Sequence, residues 1–303
     1  MCGVGNLGAP IAQRLVAQFE RLIIVDFDHS RAEVIAARIG GGAVAAELGD
    51  ALGPGDRTLV TCLPTTDVVR SVLESAGLLG GGSGEVRLWV DATSGSPDDT
   101  AELGSQVSAG GVVDCAVSGG PAGAAAGSLT AMVGGTEEAV EAAAPVLAAL
   151  SGNGGRVVHC GPHGSGHAVK CMNNNLLAVN LLAAGEALAA LAARGVDPAV
   201  AAQAIAASSG RSWAMQQRVP DHVLPRTFDY GFSMGLLAKD ARTAVSAMPA
   251  SLRDSPDAGI MALAHRLCQV AEARLGPEAD HTEIVKLAEA AAGALIEPKR
   301  RGE

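Results

Sequence analysis

Through about residue 158 the chain alternates short β-branched runs with segments whose apolar positions recur at helical spacing. Residues 22–26 (LIIVD), 58–62 (TLVTC) and 86–91 (VRLWVD) read as strands, with shorter candidates at 112–114, 131–133 and 156–158. Between them, 9–19, 30–39 and 66–73 have helical spacing, and 137–150 is mostly helical. Strands alternating with helices of this length predict a parallel α/β sheet, which the later strands extend as a mixed sheet. After Gly166 the pattern changes to Ala/Leu-rich helical segments around 167–194, 198–207, 234–248, 256–274 and 279–295, with no convincing strand. Two domains follow: an α/β domain over 1–160 and an all-helical domain over 161–303, joined in the Gly-rich stretch 152–166. The stretch 122–128 (AGAAAGS) reads as a tight loop.

Composition narrows the function classes. With 303 residues, 48% of them hydrophobic, the chain is no disordered segment and can bury a large core. A net charge of −10, with four Phe, two Trp and one Tyr, gives neither a basic surface nor stacking platforms, so no nucleic-acid partner is expected. The most apolar stretch, 176–193, is broken by Asn180, Gly185 and Glu186 and reads as a core helix rather than a membrane span. The six cysteines are scattered without a CxxC pair, which fits reduced thiols. No basic-then-apolar leader opens the sequence, and cytoplasm is the expected compartment.

Candidate chemistry begins at Gly3-Val4-Gly5-Asn6-Leu7-Gly8, a GxGxxG that opens a helix. Glycines there let the backbone turn tightly and approach a pyrophosphate at a helix N-terminus. In a chain with 39 glycines the hexapeptide alone is weak, but Asp26 ends LIIVD eighteen residues after Gly8, where a carboxylate can accept from adenosine ribose hydroxyls. Phe27 follows it, with no Arg there to receive a 2′-phosphate, which favours NAD over NADP. Leu63, Pro64 and the 91–94 segment stand beyond the carboxyl ends of strands, where ligands of open α/β sheets lie; taken singly, each is an ordinary strand-to-helix loop.

Ser118-Gly119-Gly120 follows another strand and reads either as a Gly-rich turn or as a cradle of backbone N–H groups for a small carboxylate. Ser118 has no GxSxG elbow, which disfavours a serine hydrolase. The helix opening with GSGHAVKCMNN carries Lys170 and Asn174 four residues apart, on one face. The chain has four lysines against eighteen arginines, so a Lys inside an apolar helix suggests a need for a titratable amine, set against an amine that merely snorkels to solvent. Lys239-Asp240, by itself, reads as an exposed ion pair. His159, Cys160, His163, His167 and Cys171 crowd together, but glycines and Pro162 break every zinc-ligand spacing, so no metal is expected.

Taken jointly and in order, GVGNLG, DCAVSGG, GSGHAVKCMNN and FSMGLLAKD resemble the β-hydroxyacid dehydrogenase family, which includes 3-hydroxyisobutyrate dehydrogenases, tartronate semialdehyde reductases and relatives of 6-phosphogluconate dehydrogenase. The resemblance spans nearly the whole chain. It implies a Rossmann-type domain followed by an all-α domain, an NAD cofactor, a small hydroxyacid or semialdehyde substrate and a homo-oligomer, dimer or tetramer. It further implies cofactor contacts from Gly3, Gly5, Asn6, Leu7, Gly8, Asp26, Leu63, Pro64, Ser94 and Lys239, although the family usually has Ser-Thr where this chain has Thr93-Ser94. Ser118, Gly119 and Gly120 would hold the substrate carboxylate, Lys170 would be the general acid/base, and Asn174 would orient the reacting oxygen. Two other readings are a reductase of a related imine or aldehyde, against which Lys170 argues, and a non-catalytic dinucleotide-binding scaffold. One departure stands out: only Met1 and Cys2 precede Gly3, where such a fold has a first strand of about 5–6 residues. That strand is expected to be truncated, and the native start to lie upstream.

Overall fold

The computed structural model describes residues 1–52, 57–80, 86–255, 257 and 259–299, and divides into two compact units, Met1–Lys170 and Cys171–Glu303. In the first unit the elements run α1 (Gly8–Gln18), β1 (Leu22–Ile24), α2 (His29–Ile39), β2 (Ala43–Ala45), α3 (Leu48–Ala51), β3 (Thr58–Thr61), α4 (Thr66–Ser75) and β4 (Leu88–Asp91). They continue with α5 (Pro97–Gln106), β5 (Val112–Ser118), α6 (Gly120–Ala126), β6 (Thr130–Gly134), α7 (Glu137–Ser151), β7 (Arg156–Gly161) and the start of α8 (Ser165–Ala193).

Strands β3-β4-β5-β6-β7 form one sheet, parallel except for the β5–β6 pair, and β1-β2 form a second, parallel pair. Met1–Gly3 connect the two. Cys2 bridges both Val25 and Thr61; its N–H donates to Val60 and its carbonyl accepts from Cys62, while Gly3 donates to Val25. One bridging residue thus stands where a whole central strand was anticipated. Beneath it lies a cavity of about 430 Å³ lined by Leu15, Phe19, Ile23, Leu59 and Val60 among others.

The sheet is apolar on both faces because helices cover both. Ile11 and Leu15 of α1 and Leu150 of α7 share a core with Ile24, Val113 and Val133; Val69 and Leu73 of α4 and Leu103 of α5 share another with Leu59 and Trp89. Residues 122–128, read above as a loop, instead lie largely within α6. Alanines favour the helix, Pro121 suits its first turn, and Gly127 ends it in the left-handed conformation (φ +66°).

The second unit takes α8 from Cys171 onward, then α9 (Pro198–Ala206), a π-helix (Ala214–Val223), α10 (Met234–Ser246), α11 (Ala250–Arg253), α12 (Ile260–Leu275), a 3-10 turn (His281–Val285) and α13 (Lys286–Ala292). Pro256 and Ala258, within the segment read as a helix over 256–274, lie outside the described residues. By length and composition alone α8 could cross a membrane, yet its Ala178, Leu181 and Leu188 belong to a core shared with Val219, Leu237, Cys268 and Ile284.

Candidate active site

The glycine loop divides its labour. Gly3 sits at φ +90°, and a Cβ there would lie 2.4 Å from the Cys62 carbonyl oxygen; one on Gly8 would lie 2.1 Å from the Gly3 carbonyl oxygen. Gly5 differs, since a Cβ on it would meet nothing within 4 Å. Gly5 and Asn6 are exposed and Leu7 half-buried at the head of α1. Side chains cap the starts of α2, α4, α5 and α7 (Asp28, Thr65, Ser96, Thr136), whereas α1 has none. An eleven-residue helix with no side-chain cap, beginning beside open space over a glycine, fits a pyrophosphate near its N-terminus; of its first three residues only Gly8 offers an N–H, since Ala9 N donates to the Gly5 carbonyl and Pro10 has none.

Asp26 braces that loop. Its Oδ2 accepts from Val4 N at 2.8 Å and its Oδ1 from Asp28 N at 3.0 Å. The cap of α2 is Asp28, not Asp26. The expectation that no arginine stands here needs correction: Arg31, in the first turn of α2, brings Nη1 to 3.5 Å from Asp26 Oδ1 and Nη2 to 3.5 Å from Asp28 Oδ2. Leu63 packs against Gly3 and donates its N–H to Thr93 Oγ1 at 3.1 Å, with Pro64 next in the chain. Thr93 is buried in that structural role, which leaves Ser94, half-buried, as the more accessible hydroxyl of the pair. Asp91 Oδ1 accepts from Thr61 Oγ1 and Thr93 N, and desolvation of the half-buried Cys62, with the Asp91 charge adding to it, pushes its thiol up to about 12.

Ser118 ends β5 half-buried, and Gly119 and Gly120 turn the chain into α6 with φ of +131° and +64°. A Cβ on Gly119 would press on Leu129 at 2.9 Å, so the turn also has a packing reason for glycine. At the start of α8, the buried Asp114 of β5 accepts from Gly164 N and His167 N, and the His167 ring meets Thr100 Oγ1 at 2.9 Å. One turn on, Lys170 is 9% exposed and so does not snorkel into solvent. The His159 ring lies against the Gly135 and Gly161 carbonyls, and among the described residues no three His, Cys, Asp or Glu side chains converge as metal ligands.

In the second unit, Asn174 is buried and its Nδ2 donates to Asp240 Oδ2 at 2.6 Å, while Asn173 Nδ2 donates to Asn174 Oδ1 at 3.1 Å. The other oxygen of Asp240 lies 3.1 Å from Lys239 Nζ, with side chains only 16% and 4% exposed, so the pair is not the surface ion pair its sequence suggested. Asp240 thus fixes both Asn174 and Lys239, a role that sequence reading missed. The available signal was its helical register with Leu237, Ala241 and Ala244, all buried. Asn175 is fully buried, with its Nδ2 donating to the Met261 carbonyl, and acts structurally.

Comparison with known proteins assigns the chain to a family. The family described as the NAD binding domain of 6-phosphogluconate dehydrogenase matches residues 1–161, and the one described as NAD-binding of NADP-dependent 3-hydroxyisobutyrate dehydrogenase matches 164–288. The chain is 34% identical to 2-(hydroxymethyl)glutarate dehydrogenase of Eubacterium barkeri, covering 81% of this chain and 80% of that one. It is 33% identical to NAD-dependent L-serine dehydrogenase of Pseudomonas aeruginosa, covering 88% and 90%. The solved structure of Mycobacterium tuberculosis 3-hydroxyisobutyrate dehydrogenase with L-serine superposes with a TM-score of 0.80 at 27% identity, covering 94% of this chain and 97% of the other. The chain belongs to the β-hydroxyacid dehydrogenase family, NAD(P)-dependent oxidoreductases that act on CH–OH groups.

Proposed function

We propose that this chain interconverts a small β-hydroxyacid, of the size of 3-hydroxyisobutyrate or L-serine, with its carbonyl product, and that Lys170 is the general acid/base. The observation that carries the reading is the burial of Lys170 on α8, one helical turn from an Asn174 amide whose orientation Asp240 fixes. When bound, a nicotinamide cofactor would supply hydride transfer to and from the carbinol carbon. The hydroxyl proton must leave as the carbonyl forms; Lys170, as a neutral amine, takes it, and as an ammonium gives it back. Asn174 orients the oxygen that exchanges this proton. Ser118, Gly119 and Gly120 hold the substrate carboxylate. A non-catalytic scaffold has no such need for a buried amine.

Gly3, Gly5, Asn6, Leu7 and Gly8 would hold the dinucleotide, with Asp26, Leu63, Pro64 and Ser94 further along it and Lys239 beside the nicotinamide. NAD is the proposed cofactor, because a carboxylate at position 26 would accept from the ribose hydroxyls while Arg31 is engaged by two carboxylates. We place the protein in the cytoplasm and expect a homo-oligomer, since Ile260, Leu263 and Val270 are exposed along one face of α12; sedimentation would test the latter. Turnover with NAD⁺ and NADP⁺ across 3-hydroxyisobutyrate, L-serine and 2-(hydroxymethyl)glutarate tests the activity. Lys170→Ala is expected to lower kcat by about 10²–10⁴ while NADH still binds. Near-normal turnover in that variant would remove Lys170 from the chemistry.

A further inference from the structure

We infer that Asp114 is a positioning residue for Lys170: its carboxylate fixes α8 in register against β5 and so sets where the amine stands relative to Ser118–Gly120. The inference rests on the acid/base reading of Lys170. Asp114 is completely buried, and both its oxygens face the turn that opens α8. Oδ1 accepts from Gly164 N at 2.7 Å and Oδ2 from His167 N at 2.8 Å. A helix leaves its first four N–H groups without intrahelical partners, and a nearby Ser, Thr, Asp or Asn usually serves them. Here the acceptor comes from a strand some fifty residues earlier in the chain.

The surroundings are stripped of side chains to allow this. A Cβ on Gly134 would lie 2.3 Å from Asp114 Oδ1, and one on Gly166 would lie 2.7 Å from Oδ2 and 2.3 Å from the Met132 carbonyl oxygen. Both glycines permit an approach of helix to strand that no larger residue allows. A second tie holds the same turn: His167 Nδ1 meets Thr100 Oγ1 at 2.9 Å, and a Cβ on Gly95, next to Ser94, would lie 2.8 Å from that nitrogen.

Two arms diverge from this carboxylate. Along β5, four residues at roughly 3.3 Å each lead from Asp114 to Ser118. Along α8, three residues at about 1.5 Å each lead from His167 to Lys170. A slip of α8 by one residue turns Lys170 by about 100°. Misplacement of a catalytic group by about 1 Å can cost 10²-fold in rate, so the rigidity of this joint bears directly on turnover. Asparagine cannot replace the carboxylate here. One of its two terminal polar atoms is a donor, and it would face a backbone N–H.

The test compares wild type, Asp114→Asn, Thr100→Val and Lys170→Ala in steady-state oxidation of 3-hydroxyisobutyrate and L-serine by NAD⁺, with NADH titration and thermal melting alongside. Asp114→Asn is expected to lower kcat by roughly 10- to 100-fold, while the hydroxyacid KM and the NADH Kd stay within about threefold, because the glycine loop and Ser118–Gly120 are untouched. Thr100→Val loosens the same turn without altering β5 and should show the same split, with a smaller kcat loss. A folded Asp114→Asn protein with kcat within twofold of wild type overturns the inference. So does a loss spread equally over kcat, KM and NADH binding, which marks a structural role only. Should Asp114→Asn not fold, an unchanged kcat in Thr100→Val overturns it instead. Full turnover in Lys170→Ala, or no oxidation of either hydroxyacid by wild type, defeats the underlying proposal. An inactive Lys170→Ala beside an active Asp114→Asn defeats only this one.

Discussion

Gly3, Gly5 and Gly8 belong to one motif but answer to different forces. Two of them are required by the protein's own atoms, while the third meets open space and finds its reason only in the proposed dinucleotide. Gly8→Ala must move the backbone of the loop, since its Cβ would overlap the Gly3 carbonyl, and is expected to cost on the order of 2–3 kcal/mol in urea unfolding. Gly5→Ala meets open space, so it should melt with wild type but bind NADH about tenfold more weakly by fluorescence titration. Equal destabilisation by both substitutions would remove the distinction. The GxGxxG spacing was legible in the sequence; which glycine faces the ligand was not, because that depends on where Cys62 and α1 come to lie. Asp26 was legible in the same way, whereas Arg31 was not. A helix returns its third residue toward its cap, and only the identification of Asp28 as that cap brings Arg31 beside Asp26. Asp26→Ser is therefore expected to raise kcat/KM with NADP⁺ relative to NAD⁺, by removing a carboxylate that would repel a 2′-phosphate and releasing Arg31 Nη1, while Asp28 still holds Nη2; an unchanged cofactor ratio would speak against it.

At the scale of elements, Cys2 bridges to both Val25 after β1 and Thr61 of β3, with Met1 and Gly3 bonded to the β1 side. Strands there have one bridging residue, Cys2, between them, and the cavity of about 430 Å³ continues the line of that residue along Ile23 and Leu59. A chain carrying four or five β-branched residues ahead of Met1 should lay them in this slot. It is expected to melt at least about 5 °C above one that starts at Met1, since each buried Val or Ile contributes roughly 1.5–3 kcal/mol. An unchanged melting temperature would mean the slot does not accept a strand. Periodicity revealed the long helices and the strands β1, β3 and β4, whose apolar runs are unambiguous. It missed β2 (Ala43–Ala45), whose three residues include only one β-branched side chain, Val44, and the π-helix at Ala214–Val223, whose spacing differs from 3.6. It also stopped β5 at Asp114. The polar Asp114 looked like a strand end, but its partner is a helix terminus rather than solvent, and the strand runs on to Ser118.

Across the whole molecule, acid should act through buried histidines in both units. Burial pushes His163 of the first unit and His281 of the second below the ordinary histidine range. For His281 it outweighs the pull of the Asp280 carboxylate, 3.2 Å from Nδ1, and the Arg218 charge adds to it. Unfolded, these rings titrate near about 6.5. Below that pH the unfolded chain binds protons the folded one refuses, so stability is fully present above about pH 6.5 and falls as the pH drops, by up to about 1.4 kcal/mol per pH unit for each ring. Asp280 acts in a separate window. Burial favours its neutral form, but the adjacent His281 ring and the bonds from Thr282 prevail and hold the carboxyl well below the usual carboxylate range. Its contribution is therefore lost only under about pH 4. His281 packs edge-on against Tyr230 and Phe232, with ring centroids 5.2 and 5.3 Å away, so a phenyl ring suits the site. Asp280 would keep its bonds from Thr282 and from Gly231 N. His281→Phe should therefore flatten the loss of stability between pH 6.5 and 5, measured by urea unfolding at half-unit steps, and leave the steeper fall below pH 4 in place. A slope identical to wild type between pH 6.5 and 5 would show that the ring accepts its proton while folded, and would assign the acid sensitivity to other groups.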